Sequence, residues 1–240
     1  MLLHGACTDS RMWGPQLDAL ADEFTVIAWD APGCGGSFDP PPDFGSEGYA
    51  DSLARFIGEQ SLERPHVLGL SFGTIVALEL FRRHPGIPGS LVLASAYAGW
   101  AGSLPAEEVE ARRRGWIEDA NRPPEQMVDA LADTLFTDSV PAAVRDELMG
   151  MIFDFRPAGL RAVANASAGA DLRDVLARID VPTLLIYGDA DKRSPVSPVG
   201  KNLHAAIPGS ELVVLPGIGH MVNLEVPERF NEEVRSFLRA

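Results

Sequence analysis

The chain has 240 residues, enough for one large α/β domain or one domain with an insert, and too few for two independent cores. Its 46% hydrophobic and 22% charged residues suit a globular protein, and a net charge of −14 repels phosphate backbones, so no nucleic-acid partner is expected. The two cysteines, Cys7 and Cys34, make no disulfide framework. The first residues lack a signal-peptide pattern, and no apolar run approaches the ~20 residues of a membrane span, so a cytoplasmic protein with no membrane partner is expected, as monomer or homodimer.

Along the chain, short β-rich runs alternate with amphipathic stretches. The runs are Met1–His4, Thr25–Asp30, His66–Leu70, Leu91–Ser95, Thr183–Tyr187 and Glu211–Leu215. Each is nearly continuous in apolar residues, the pattern of parallel strands buried on both faces. Phe72–His84, Pro195–Ile207 and Val226–Leu238 each carry apolar residues at helical spacing, and Pro85-Gly86 ends the first of them. Strand-helix alternation of this kind predicts a doubly wound, mostly parallel sheet.

The rhythm breaks between Ser95 and Thr183. There the spacing predicts helices over Pro105–Asp119, Pro124–Phe136, Pro141–Phe153, Pro157–Ala168 and Leu172–Ile179, and no strand. A connection that long reads as an inserted lid. The expected division is a core of residues 1–97 and 171–240, with a helical lid over 98–170. Apolar residues of the lid, such as Trp116 and Leu131, are candidates to line a pocket, while Arg112-Arg113-Arg114 reads as a solvated helix face.

The chemistry begins at Gly69-Leu70-Ser71-Phe72-Gly73, at the end of one predicted strand and the start of a helix. In that setting G-x-S-x-G forces the serine onto a strained bend, and glycines flank it because a Cβ would clash. Ser71 is the candidate nucleophile. A neutral serine needs a base steadied by an acid. His220, in Pro216-Gly217-Ile218-Gly219-His220 after the last strand, is the candidate base. The acid is expected after the preceding strand, where Tyr187-Gly188-Asp189-Ala190-Asp191 offers two aspartates. Asp191 is the choice, and Asp189 is read as a turn residue capping backbone N–H groups. No metal spacing and no nucleotide loop is found, so neither metal nor cofactor is expected.

The chain order Ser, Asp, His resembles that of the α/β-hydrolase superfamily, in its branch of lid-bearing esterases and enol-lactone hydrolases. Leu3-His4-Gly5-Ala6 resembles that family's oxyanion loop, and Asp30-Ala31-Pro32-Gly33-Cys34-Gly35-Gly36-Ser37 and Pro182–Gly188 resemble two more of its segments. The resemblance implies oxyanion donors at the backbone N–H groups of Ala6 and Phe72, with His4 and Asp30 structural. It implies a small-molecule partner, an apolar ester or lactone, cleaved through an acyl-enzyme. Enol-lactone hydrolysis and carbon–carbon hydrolysis of a ring-fission product are the alternatives on the same triad. Carboxylate-bearing substrates of that kind favour a pocket arginine, for which Arg161 and Arg193 are candidates, and a ligand receptor is the alternative of another class. Family members usually carry a strand pair ahead of the His-Gly strand, and this chain starts inside that strand, so either its start is too late or the pair is missing, in which case Thr25–Asp30 is expected to be an edge.

Overall fold

Six strands lie side by side in the computed structural model, which describes residues 1–41, 43–138 and 140–240, the side chains at 129, 130, 132 and 133 excepted. They are β1 (Leu2–Leu3), β2 (Ala28–Trp29), β3 (His66–Leu70), β4 (Ser90–Ala94), β5 (Thr183–Gly188) and β6 (Glu211–Leu215). Each falls within or against a predicted run. Every pairing is parallel, in the order β2-β1-β3-β4-β5-β6. The two first strands are shorter than their apolar runs. β2 stands at one edge and β6 at the other.

Why the runs are continuously apolar is visible in the packing. Val67, Leu91, Leu93, Leu185 and Tyr187 face one core, while Leu68, Leu70, Val92, Leu184 and Ile186 face the other. Successive side chains of a strand point to opposite faces, so a sheet covered on both sides buries every position. Strand β6 departs from this, because an edge strand has one flank open, and its Val214 is exposed.

Parallel neighbours need crossovers, and helices supply them. In chain order they are α1 (Gly14–Leu20), α2 (Ser46–Glu59), α3 (Phe72–Arg83), α4 (Trp100–Ser103), α5 (Ala106–Asp119), α6 (Pro124–Leu135), α7 (Ala142–Phe153), α8 (Pro157–Gly169), α9 (Arg173–Leu176), α10 (Lys201–Ala206), α11 (Val222–Glu225) and α12 (Pro227–Arg239). On one face lie α2, α3, α9 and α10, with Tyr49, Leu53, Ile75, Val76, Val175 and Leu203 buried. On the other face Leu20 of α1 and Phe230 and Val234 of α12 are buried.

Helices α1 and α2 and the short α4 and α11 were not anticipated. The signal for α2 was present, since its buried Tyr49, Leu53 and Ile57 stand four apart, one helical face. The stretch predicted as one helix over Pro195–Ile207 is broken, with a wide turn over Val196–Gly200 before α10, and Ser197 has extended rather than helical backbone. Its apolar residues Val199, Leu203 and Ile207 are nevertheless buried on one side.

From α4 to α9 the chain is helical, and among the described residues no strand lies between β4 and β5. Prolines mark the starts: Pro105 and Pro141 precede α5 and α7, and Pro157 opens α8, where a missing N–H costs nothing. Helix α8 touches α2 and α3 of the body as well as α4 and α5. No helix among the described residues is long and apolar enough to cross a membrane.

Candidate active site

The chain winds from β1 outward to β2, then returns past β1 to β3 and on to β6. The reversal between β1 and β3 is a topological switch point, where the loops leaving the carboxyl ends of neighbouring strands part and leave a crevice. Residues 4–7 leave β1 there, and Ser71 leaves β3. Asp191 follows β5, and His220 follows β6. All the sequence-predicted residues therefore emerge on one side of the sheet.

Ser71 sits between β3 and α3 with φ +52° and ψ −109°, a conformation that costs a non-glycine residue of order 1–3 kcal/mol. The bend is held from both sides. Ser71 N–H donates to the Ala94 carbonyl at 2.9 Å, and the Ser71 carbonyl accepts the Thr74 N–H at 3.0 Å and the Thr74 hydroxyl at 2.6 Å. The flanking glycines are required by contact. A Cβ on Gly73 would lie 2.2 Å from the Leu3 carbonyl oxygen, and one on Gly69 would lie 2.5 Å from the Gly73 backbone.

His220 and Asp191 are both buried, and His220 Nδ1 lies 2.8 Å from Asp191 Oδ2. A carboxylate only accepts, so Nδ1 carries the proton and Nε2 is left as the acceptor nitrogen. The other carboxylate oxygen accepts the N–H groups of Arg193 at 2.8 Å and Ser194 at 2.9 Å. Burial pushes the Asp191 carboxyl up, but His220 and these two N–H donors outweigh it and hold the group below the usual carboxylate range. Asp189 is turned elsewhere and accepts the Gly217 N–H at 2.6 Å, the capping role read for it.

Ser71 and His220 line one small cavity together with Gly5, Ala6, Cys7, Leu70, Trp116, Leu131, Leu135, Arg193 and Met221. Its volume is about 20 Å³, room for a single water, and Trp116 of α5 and Leu131 and Leu135 of α6 are among the residues that line it. Neither the Ala6 N–H nor the Phe72 N–H finds an acceptor among the described residues.

The loop after β1 is shaped by His4. Its Nε2 accepts the Ala31 N–H at 3.0 Å, which leaves Nδ1 to donate to the Gly5 carbonyl at 2.7 Å. Burial holds its pKa below the usual histidine value, and a neutral ring is what these two bonds need. Asp30 accepts N–H groups from Ser10 at 2.7 Å and Gly36 at 2.9 Å. His4 and Asp30 thus fasten the loop that carries Ala6 to the turn after β2. Cys7 lines the cavity with φ +59°, and burial pushes its thiol up to about 12. Both cysteines are buried and free, and Cys34 lies outside this cavity.

Sequence reasoning missed several contributors. Ser95, with φ +47°, donates its hydroxyl to the His220 carbonyl at 2.9 Å. Leu135, at the end of α6, accepts the N–H groups of His220 and Met221 at 3.0 and 3.2 Å. Glu225 accepts from Gly219 N–H at 2.9 Å and from the Thr137 hydroxyl at 2.6 Å. Apart from the bond between Gly219 and Glu225, six positions apart, these bonds join residues far apart in sequence, and no motif announces them. Arg112 corrects the reading of a solvated face: it is half-buried, donates to Glu108, to the Tyr97 hydroxyl and to the Arg193 carbonyl, and so ties α5 to the loop after β5. Of the two candidate pocket arginines, Arg193 lines the cavity, whereas Arg161 is turned to Asn121.

Comparison with known proteins agrees with this architecture. The sequence matches the alpha/beta hydrolase family over residues 1–233. A thermophilic esterase from Thermogutta terrifontis, solved with malate bound, is 31% identical with a TM-score of 0.92, over 99% of this chain and 88% of that one. The enol-lactonase from Burkholderia xenovorans LB400 is 26% identical with a TM-score of 0.91, over 100% of this chain and 90% of that one. A dihydrolipoyllysine-residue acetyltransferase component of the acetoin cleaving system from Pseudomonas putida is 30% identical, and this chain, matched over its whole length, spans 63% of that longer protein. With its parallel sheet, its crossovers and its match along almost the full sequence, the chain belongs to the alpha/beta hydrolase family and has the α/β-hydrolase fold.

Proposed function

We propose that the chain is a serine hydrolase of carboxylic esters, with Ser71 as nucleophile, His220 as base and Asp191 as the acid that steadies it. One observation carries the reading: a serine on a strained strand-to-helix bend shares a cavity with a histidine whose far nitrogen is bonded to a buried carboxylate. Similarity to an esterase from Thermogutta terrifontis supports the ester as substrate.

Ser71 Oγ attacks the ester carbonyl carbon while His220 Nε2 takes its proton, and Asp191 stabilises the imidazolium. The oxygen that gains the charge rests on the N–H groups of Ala6 and Phe72, which have no acceptor of their own among the described residues. Each such donor is worth about 10²–10³ in rate. His220 then returns the proton to the leaving alcohol, and an acyl-enzyme remains. Water attacks it, losing a proton to His220, and Ser71 is released with its own proton restored as the acid departs. The helices over 98–170 act as a lid, a reading supported by Trp116, Leu131 and Leu135, which line the cavity from this segment.

A fluorophosphonate is expected to label Ser71 stoichiometrically, with the label lost in Ser71→Ala. A wild-type chain that stays unlabelled overturns the assignment. Labelling without multiple turnover on a panel of esters and lactones points instead to a receptor. Lactone opening on the same residues is the second reading, favoured by the similarity to the Burkholderia xenovorans enol-lactonase.

A further inference from the structure

Three consecutive N–H groups of the histidine loop find acceptors outside it. Gly219 N–H donates to Glu225 Oε1 at 2.9 Å, and the N–H groups of His220 and Met221 donate to the Leu135 carbonyl at 3.0 and 3.2 Å. Leu135 ends α6, within the segment 98–170, whereas Glu225 ends α11. The second oxygen of Glu225, Oε2, accepts the Thr137 N–H at 3.2 Å and the Thr137 hydroxyl at 2.6 Å. One carboxylate thus holds the residue before the base and the chain just beyond α6 together. The segments meet at Gly219, where a Cβ would lie 2.6 Å from Glu225 Oε1 and 3.2 Å from the Leu135 carbonyl oxygen.

The nucleophile is held differently. The Ser71 bend is bonded to Ala94 and Thr74, on β4 and α3. The loop of the base is bonded to Ser95 on one hand, and to the end of α6 through Leu135 and Glu225 on the other. Hydrogen bonds to an ionised carboxylate are roughly twice as strong as neutral ones, so this half-buried joint is a firm one. Neither Glu225 nor Thr137 lines the cavity, so the effect of either reaches the chemistry through the histidine loop.

We propose that Glu225 is a positioning residue. By joining Thr137 to Gly219 it makes the placement of the His220 ring depend on the seating of α6, so that the base is set when the lid closes. This rests on the serine-hydrolase reading and on the helices over 98–170 acting as its lid.

The test uses p-nitrophenyl acetate hydrolysis and the rate of fluorophosphonate labelling, on chains shown to be folded by circular dichroism. Glu225→Gln replaces one acceptor oxygen with an NH2 group, which meets an N–H donor at whichever end it faces. Its kcat and its labelling rate are expected to fall about tenfold to a hundredfold, the scale of a misplaced catalytic group, with KM little changed. Thr137→Val lowers both in the same direction, and Thr137→Ser, which keeps the hydroxyl, recovers them. The double variant Glu225→Gln, Thr137→Val is no slower than Glu225→Gln alone, because both changes break one bridge. Wild-type rates in a folded Glu225→Gln chain overturn the proposal whatever its melting temperature, and so does an additive double variant. If Glu225→Gln does not fold, Thr137→Val decides, and rates equal to the wild type overturn it. If neither folds, hydrogen exchange of the wild type decides: the amides of Thr137, Gly219, His220 and Met221 open together, with protection factors within about threefold, and unrelated values overturn it. A wild type that takes the label, with variants that take it as fast, removes only the role of Glu225. A wild type that takes no label removes the hydrolase reading beneath it.

Discussion

The Ser95 hydroxyl donates to the carbonyl of His220 at 2.9 Å, from a backbone held at φ +47°. Ser95 follows β4, the strand between those that lead to Ser71 and Asp191, and it is wholly buried. The bond therefore sets the height of the histidine loop against the middle of the sheet. The Leu135 carbonyl also holds this loop, accepting the N–H groups of His220 and Met221.

Ser95→Ala leaves the His220 carbonyl without this donor. The expected cost is about 1–2 kcal/mol of stability, the usual range for one buried hydrogen bond. With the imidazole free to drift, kcat falls while KM changes little. Thermal unfolding and steady-state kinetics on one ester measure the two effects, and a variant that matches the wild type in both removes Ser95 from the account.

Two aspartates stand two apart, and their bonds differ. Asp191 holds His220, while Asp189 holds Gly217 N–H. Asp191→Asn is expected to lower kcat by about 10³–10⁴, because the amide favours the wrong imidazole tautomer. Asp189→Asn is expected to leave kcat within about threefold, since an amide oxygen still accepts the N–H. Equal losses in the two variants contradict the assignment of the acid.

Gly73→Ala places a methyl 2.2 Å from the Leu3 carbonyl oxygen and 2.9 Å from that of His4. Backbone must move, at an expected cost of about 3 kcal/mol or more. Gly86→Ala meets nothing within 4 Å and serves as the control, with a change within about 0.5 kcal/mol. Denaturant unfolding of both variants checks the pair, and a Gly73→Ala chain as stable as the wild type refutes the packing argument.

His4 makes stability depend on pH. Its folded pKa lies below the ordinary histidine value of 6.5 because the ring is buried, so between the two values the unfolded chain binds more protons than the folded one. Stability is then full above about pH 6.5 and declines as pH falls through that window, since protonating Nε2 also breaks the bond from Ala31 N–H. Unfolding free energy measured from pH 7.5 to 5 is expected to decline more steeply in the wild type than in His4→Gln. Parallel curves rule the histidine out as the source.

Much of the architecture was legible along the chain. Apolar runs with no polar side mark strands covered on both faces, and the strands were readable for that reason, even the partly exposed edge strand β6. Helices α5 to α9 were readable from their prolines and spacing, whereas α1, α2, α4 and α11 went unread. The Ser71 bend and its glycines announce themselves because the strain is local: five consecutive residues contain both its cause and its relief.

What belonged to the tertiary structure alone was proximity. That Asp191 rather than Asp189 meets His220 depends on the path of a turn, and sequence supplied only a preference. Ser95, Leu135 and Glu225 reach the His220 loop across 125, 85 and 6 positions of chain, through a hydroxyl, a carbonyl and a carboxylate that carry no motif. Arg193 and Arg161 were equal candidates in the sequence, and only folding turned one into the cavity and the other to Asn121. Periodicity and steric strain are written in neighbouring residues, but a hydrogen bond between distant segments exists only once the sheet has fixed where each loop ends.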